Sequence, residues 1–190
     1  MTTSEPEFSE RDLAYVTSEY LTLEQLCAGR AETPDQVADL IAQERLPRPS
    51  YVLPDGTRLF PPDYFAVLDG AGSVDALRSH FEQRHRSAAS AIGLAIDPEE
   101  DWKGYLAGDH GVCLREVTPE AMVERSALVA EIDMVTAVPA VEDEQWRARL
   151  REAVDGLDEI ERPSTDFDRQ RRGPTSRDTH ITAVRARYLD

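Results

Sequence analysis

The stretch from Leu21 to Pro62, LTLEQLCAGRAETPDQVADLIAQERLPRPSYVLPDGTRLFPP, constrains this chain most, because its punctuation leaves few ways to fold it. Thr22 followed by Gln25 is a capping box, in which hydroxyl and amide satisfy orphan backbone donors at a helix start. Leu23, Leu26 and Cys27 then fall on one face, and Gly29 ends that helix. Thr33-Pro34 is a second start, with a capping hydroxyl and then a proline where no N–H is needed. Val37, Leu40 and Ile41 form its apolar stripe. Leu46-Pro47-Arg48-Pro49 stops it, because residues before proline leave the helical region. Ser50 to Leu53 and Thr57 to Phe60 flank Pro54-Asp55-Gly56, which predicts two strands joined by a turn. A further helix is expected to start between Asp63 and Leu68.

From Tyr20 to Leu68 this order of short helices, proline-rich link and hairpin resembles the winged helix-turn-helix head of MerR-type regulators and excisionases. The resemblance implies a second helix that lies in the major groove of DNA. Here that helix presents Asp35, Asp39 and Glu44, which repel phosphates, and phosphate neutralisation supplies much of the affinity for DNA. Residues 1–70 hold 13 acidic and 5 basic residues, a net of −8. The head is therefore expected to pack or to bind protein, and a MerR-like DNA-binding regulator stands as the last of three functional readings.

The acidic balance runs through the whole chain. Its 190 residues carry a net charge of −16 and are 41% hydrophobic, enough for a core beneath a very polar surface. Such a charge favours solubility and disfavours nucleic acid or anionic membrane as partners. Cys27 and Cys113 sit far apart in apolar contexts and read as buried thiols rather than a disulfide. No run of about 18 apolar residues could span a membrane. The start, MTTSEPEFSERD, lacks the basic and apolar parts of a signal peptide, and residues 1–7 read as polar and frayed. A cytoplasmic protein is expected.

Ser9 with Asp12 opens a first helix that ends near Tyr20. Asp69-Gly70-Ala71-Gly72 reads as a hinge-like linker, dividing a head at 1–70 from a body at 71–190. Ser73 is expected to cap a long helix with Val74, Leu77, Phe81, Ala88 and Ile92 inward. Asp97-Pro98 starts the next, with Trp102, Tyr105 and Leu106 as its apolar side and Gly108 as its end. Gly111 to Leu114 fits either a short strand or a helical turn. Thr118-Pro119 opens a helix from Ala121 to Val135 that is apolar nearly all round, which predicts a central position. Glu142 to Glu144 precede an amphipathic helix with Trp146, Leu150, Val154, Leu157 and Ile160 inward. Periodicity disappears from Glu161 to Ser176, and Ser176 is expected to cap a last helix through Ile181, Val184 and Tyr188. The fold class is mostly α: a winged-helix-like head with a small β-hairpin, followed by a helical bundle.

Two groups of residues carry possible chemistry. Residues 162–188 hold seven arginines against three aspartates, a local net of +4. Within that segment Arg169, Arg171, Arg172 and Arg177 are candidate ligand-binding residues, because guanidinium groups capture carboxylate or phosphate in bidentate fashion. The same arginines would equally clamp this tail onto the acidic body. His110 and Cys113 are the candidate catalytic pair, a base and a thiolate nucleophile, and a cysteine between Val112 and Leu114 also fits an inert core position. Two such ligands fall short of the three or four of a zinc site, and neither a metal nor a cofactor is expected. No glycine-rich phosphate loop or serine-nucleophile elbow is present.

The patches YLTLEQLC, LPRPSYVLPDGT, Tyr105 to Leu114 and Arg172 to Arg187 together resemble an actinobacterial family of natural product biosynthesis proteins. That resemblance implies a setting in secondary metabolism and supplies no catalytic residue. The leading reading is an accessory protein that binds an anionic small molecule or a protein partner, a second copy of the chain included. A small biosynthetic enzyme acting on an anionic metabolite is the alternative.

Overall fold

A computed structural model describes residues 6–190, and the expectation for residues 1–5 lies outside the described residues. The chain is mostly helical with one two-stranded antiparallel hairpin. α1 (Glu10–Glu19), α2 (Leu23–Leu26) and α3 (Pro34–Ala42) each start at the expected cap: Ser9, Thr22 and Thr33 form capping boxes with Asp12, Gln25 and Gln36. Each box satisfies two backbone donors that a helix start leaves open. Glu44 lies beyond the end of α3, in left-handed conformation, rather than on its solvent face.

β1 (Tyr51–Val52) pairs with β2 (Arg58–Leu59) in the register Tyr51 to Leu59, closed by the turn at Asp55-Gly56. Leu21 bridges Phe60, so the segment between α1 and α2 lies along the hairpin edge. α4 (Ala66–Ala71) occupies the stretch expected to be a linker, because Gly72 at φ 76° ends a helix there rather than opening a hinge.

α5 (Leu77–Ala91) buries Leu77, Phe81, His85 and Ala89. The expected inward face is thus corrected: His85 takes the inner row and Ile92 is exposed. Ser73 caps a turn ahead of this helix, accepting from Ala76 N–H, instead of the helix itself. α6 (Pro98–Ala107) ends at Gly108, and α7 (Asp109–Cys113) follows at once, so Gly111 to Leu114 is mainly a helical turn. Gly108 has to be glycine twice over. Its φ is 80°, and a Cβ would meet the Arg48 carbonyl oxygen at 2.5 Å.

α8 (Pro119–Ala137) packs between α5 and α9 (Glu144–Ile160). α9 turns Leu150, Ala153, Val154 and Leu157 inward, as its period requires. α8 is covered on two sides but not all round, since Met134 stays exposed.

α10 (Asp166–Arg172) fills the region where periodicity disappears, started by a capping box of Thr165 and Asp168. Two π-type segments, α11 (Arg177–Thr182) and α12 (Arg185–Leu189), close the chain against α9. Thr175 rather than Ser176 caps α11, exchanging hydrogen bonds with Asp178.

The largest apolar cluster joins Leu23, Val37 and Phe60 to Phe81, Trp102 and Met122, and so crosses Gly72. A second cluster lies between α8, α9 and the last segments. In a third, Val16, Tyr20, Tyr51 and Leu59 meet Phe167 of α10. The arginine-bearing segment is thereby folded back onto the first helices.

Candidate functional site

The connection from α7 to α8 crosses the connection from α9 to α10. Leu114 forms an antiparallel bridge with Glu161: Arg115 N–H donates to the Ile160 carbonyl and Arg162 N–H to the Cys113 carbonyl, at 2.9 and 2.8 Å. This crossing brings the two sequence candidates together. A cavity of about 310 Å³ opens beside it, lined by His110 and Cys113 from α7 and by Arg172 and Arg177 from the C-terminal segment. Arg169 and Arg171 do not line it. Arg169 is held by Asp178 and Asp166, and Arg171 lies 3.7 Å from Asp168 with its guanidinium over the Phe167 ring.

The lining arginines differ in how far their donors are used. Arg172 pairs with Asp109, and Arg177 with Asp158. Arg162, 8% exposed, donates to the Leu114 and Arg115 carbonyls. Arg125 reaches the cavity from α8 and donates through Nε to Glu161 at 2.8 Å. Among the described residues its two terminal nitrogens have no hydrogen-bond partner. Burial works against the charge on Arg125, and the facing Cys113 and Glu161 more than offset it, so its pKa is raised. Glu161 is 1% exposed and also accepts from the Ser176 hydroxyl.

On the same helix as the thiol is an imidazole whose buried Nε2 has no hydrogen-bond partner among the described residues, while Cys113 Sγ donates to the His110 main-chain carbonyl at 3.7 Å. His110 Nε2 stands 3.4 Å from Asp101 Oδ1 on α6, while the other Asp101 oxygen meets His85 Nε2 of α5 at 2.7 Å. Gly104 makes this possible, since a Cβ there would lie 2.7 Å from His110 Nε2. Burial disfavours the imidazolium, yet Asp101 and the neighbouring Cys113 thiol prevail and push the His110 pKa up to about 9. Burial likewise opposes charge on Asp101, but its two histidines hold the carboxyl below the usual range. Cys27 is a different kind of cysteine: it lies 7% exposed in the main core, where burial pushes its thiol up.

Asp168 supports the site from behind. It is 1% exposed, and its Oδ2 accepts from the hydroxyls of Tyr51 at 2.8 Å and Thr165 at 2.6 Å. Tyr20 donates to the Gly111 carbonyl at 2.9 Å. The tyrosines of the head thus fix both α7 and α10, two of the elements around the cavity.

A family model matches residues 73–189, well over half of the chain. The chain belongs to DUF6058, a family of unknown function. The matched region contains every residue that lines the cavity. No curated protein and no solved structure matches.

Among the described residues no group of three His, Cys, Asp or Glu side chains is arranged to hold a metal ion, and no helix is long and apolar enough to cross a membrane. Asp35 and Asp39 of α3 are exposed, whereas Arg30, Arg45 and Arg48 are each paired with carboxylates. Arg125, Arg162, Glu161 and Asp101 are the site residues that sequence patterns did not single out.

Proposed function

We propose that the protein binds a small anionic molecule in the cavity between α7, α8 and the α10–α11 segment. The observation that carries this reading is Arg125, a partly buried arginine on the cavity wall whose terminal nitrogens have no hydrogen-bond partner among the described residues. Such a fork is preorganised for a carboxylate or phosphate. Arg172 and Arg177 stand at the same cavity, each paired with a carboxylate, Asp109 and Asp158, and a protonated His110 adds positive charge beside them. In an otherwise acidic protein the cavity lining holds four arginines against three carboxylates, which makes it a place where an anion is tolerated. The likeness to natural product biosynthesis proteins gives the ligand a setting: a metabolite or carrier-linked group of bacterial secondary metabolism, held by an accessory protein. The acidic outer surface of α3 speaks for a head that packs or binds protein rather than DNA.

Calorimetric titration with inorganic phosphate, succinate and a neutral analogue, succinamide, tests the reading. Binding of an anion with no heat from succinamide is expected, and Arg125→Gln should weaken it by about tenfold or more, the worth of one charge-assisted contact. Equal affinity in the variant would remove Arg125 from the site and the reading with it.

A further inference from the structure

A second opening, which shares no lining residue with the anion cavity, runs along α8 beside the end of α5. It is a groove of about 650 Å³, with Ile92 and Leu94 from the turn after α5 on one side. Along α8 its lining includes Glu120, Glu124, Ala127, Glu131 and Met134, at alternating spacings of four and three, which is one stripe of a helix. That stripe runs for about four turns, or about 21 Å. Its apolar members are left open. Met134 is 57% and Ile92 56% exposed, two of the five large apolar side chains that are exposed among the described residues. An apolar surface gathered in one place and rimmed by polar groups marks an interaction site. The small side chain of Ala127 at its middle lets a second helix come close.

The charge of the groove says what covers it. Three glutamates line it, and among the described residues no basic side chain does. Glu120 reaches Arg84 and Glu131 reaches Arg149, both outside the groove. Glu124 is exposed and has no ion-pair or hydrogen-bond partner among the described residues. A second copy of this chain fits poorly, since a twofold contact sets a patch against itself and would face glutamates with glutamates. We infer that this groove docks an amphipathic helix of a partner protein, one whose apolar stripe is flanked by lysine or arginine. The partner's apolar residues, three or four apart, seat on Ala127, Met134 and Ile92, and its basic side chains meet Glu124.

The test is selection against the full chain from a displayed library of helical peptides about five turns long. Leucine is fixed along one stripe, and the flanking positions are drawn from lysine, glutamate and glutamine. Lysine is expected to be enriched at the flanks. A synthetic copy of an enriched peptide, followed by fluorescence anisotropy, should bind Met134→Glu about tenfold or more weakly than the wild type. That variant adds negative charge, so a loss separates seating in the groove from general attraction to an acidic protein. Glu124→Lys should weaken the same peptide several-fold and strengthen its counterpart with glutamate flanks. Both side chains are exposed, so both variants are expected to melt as the wild type does. Enrichment of glutamate or glutamine, no enrichment, or binding indifferent to Met134→Glu would overturn the inference. Sedimentation of the protein alone supplies the remaining arm: a dimer that Met134→Glu dissociates would give the groove to a second copy and overturn the basic partner.

Discussion

Glu161 shows how tightly the site is tied to stability. Its carboxylate is buried, accepts from Arg125 and Ser176, and sits on the bridge that joins the two halves of the cavity. Removing it leaves a partly buried guanidinium and the Ser176 hydroxyl without their shared partner, which costs more than loss of a surface pair. Glu161→Ala should destabilise the protein by about 2–4 kcal/mol, read from denaturant unfolding. A loss below about 1 kcal/mol would mean that water replaces the carboxylate. At this scale the sequence was partly legible. Arg172, Arg177, His110 and Cys113 stand out by composition and spacing, and they do converge. Arg125 does not stand out, because a single cation on a nearly all-apolar helix carries no periodic signal. Arg162 belongs to the arginine-rich segment, yet nothing local says that it turns inward while Arg169 stays out.

The same limits act on elements. The caps of α1, α2 and α3 follow from local chemistry alone, and each forms where its side chains dictate. α10 lacks an apolar stripe. Its inward residues are Asp168, which is buried, and Phe167, which is partly so, and hydrophobic periodicity has nothing to register there. The inward place of His85 on α5 depends on Asp101, a tertiary partner that spacing does not reveal. The junction of α6 and α7 is where pH should act. His110 faces Asp101 from α6 and Cys113 on its own helix; His85 meets Asp101 from α5, and Arg125 stands on α8 across the cavity. The folded-state pKa of His110 is raised from 6.5 to about 9, so its stabilising contribution is fully present below the unfolded value and is lost as pH rises through 9. The melting temperature should therefore fall between pH 6.5 and 9.5 in the wild type, and His110→Gln should flatten that fall. An identical slope in the variant would place the titration elsewhere.

Across the whole molecule, a net charge of −16 surrounds a cavity that gathers four arginines and three carboxylates. The family match covers the cavity-lining residues, while the head outside it supplies Tyr20 and Tyr51, which brace α7 and α10. The main core draws on both sides of Gly72, so the head is part of what shapes the site. An acidic body keeps polyanions at a distance, and a pocket that presents the open terminal nitrogens of Arg125 admits a small anion. The most direct test of that account is native mass spectrometry of the protein purified gently from its own host, alongside the Arg125→Gln variant. The account predicts a bound mass of metabolite size, anionic once released by denaturation, present in the wild type and depleted in the variant. A wild-type protein that carries only a protein partner, or a small molecule retained equally by the variant, would contradict it.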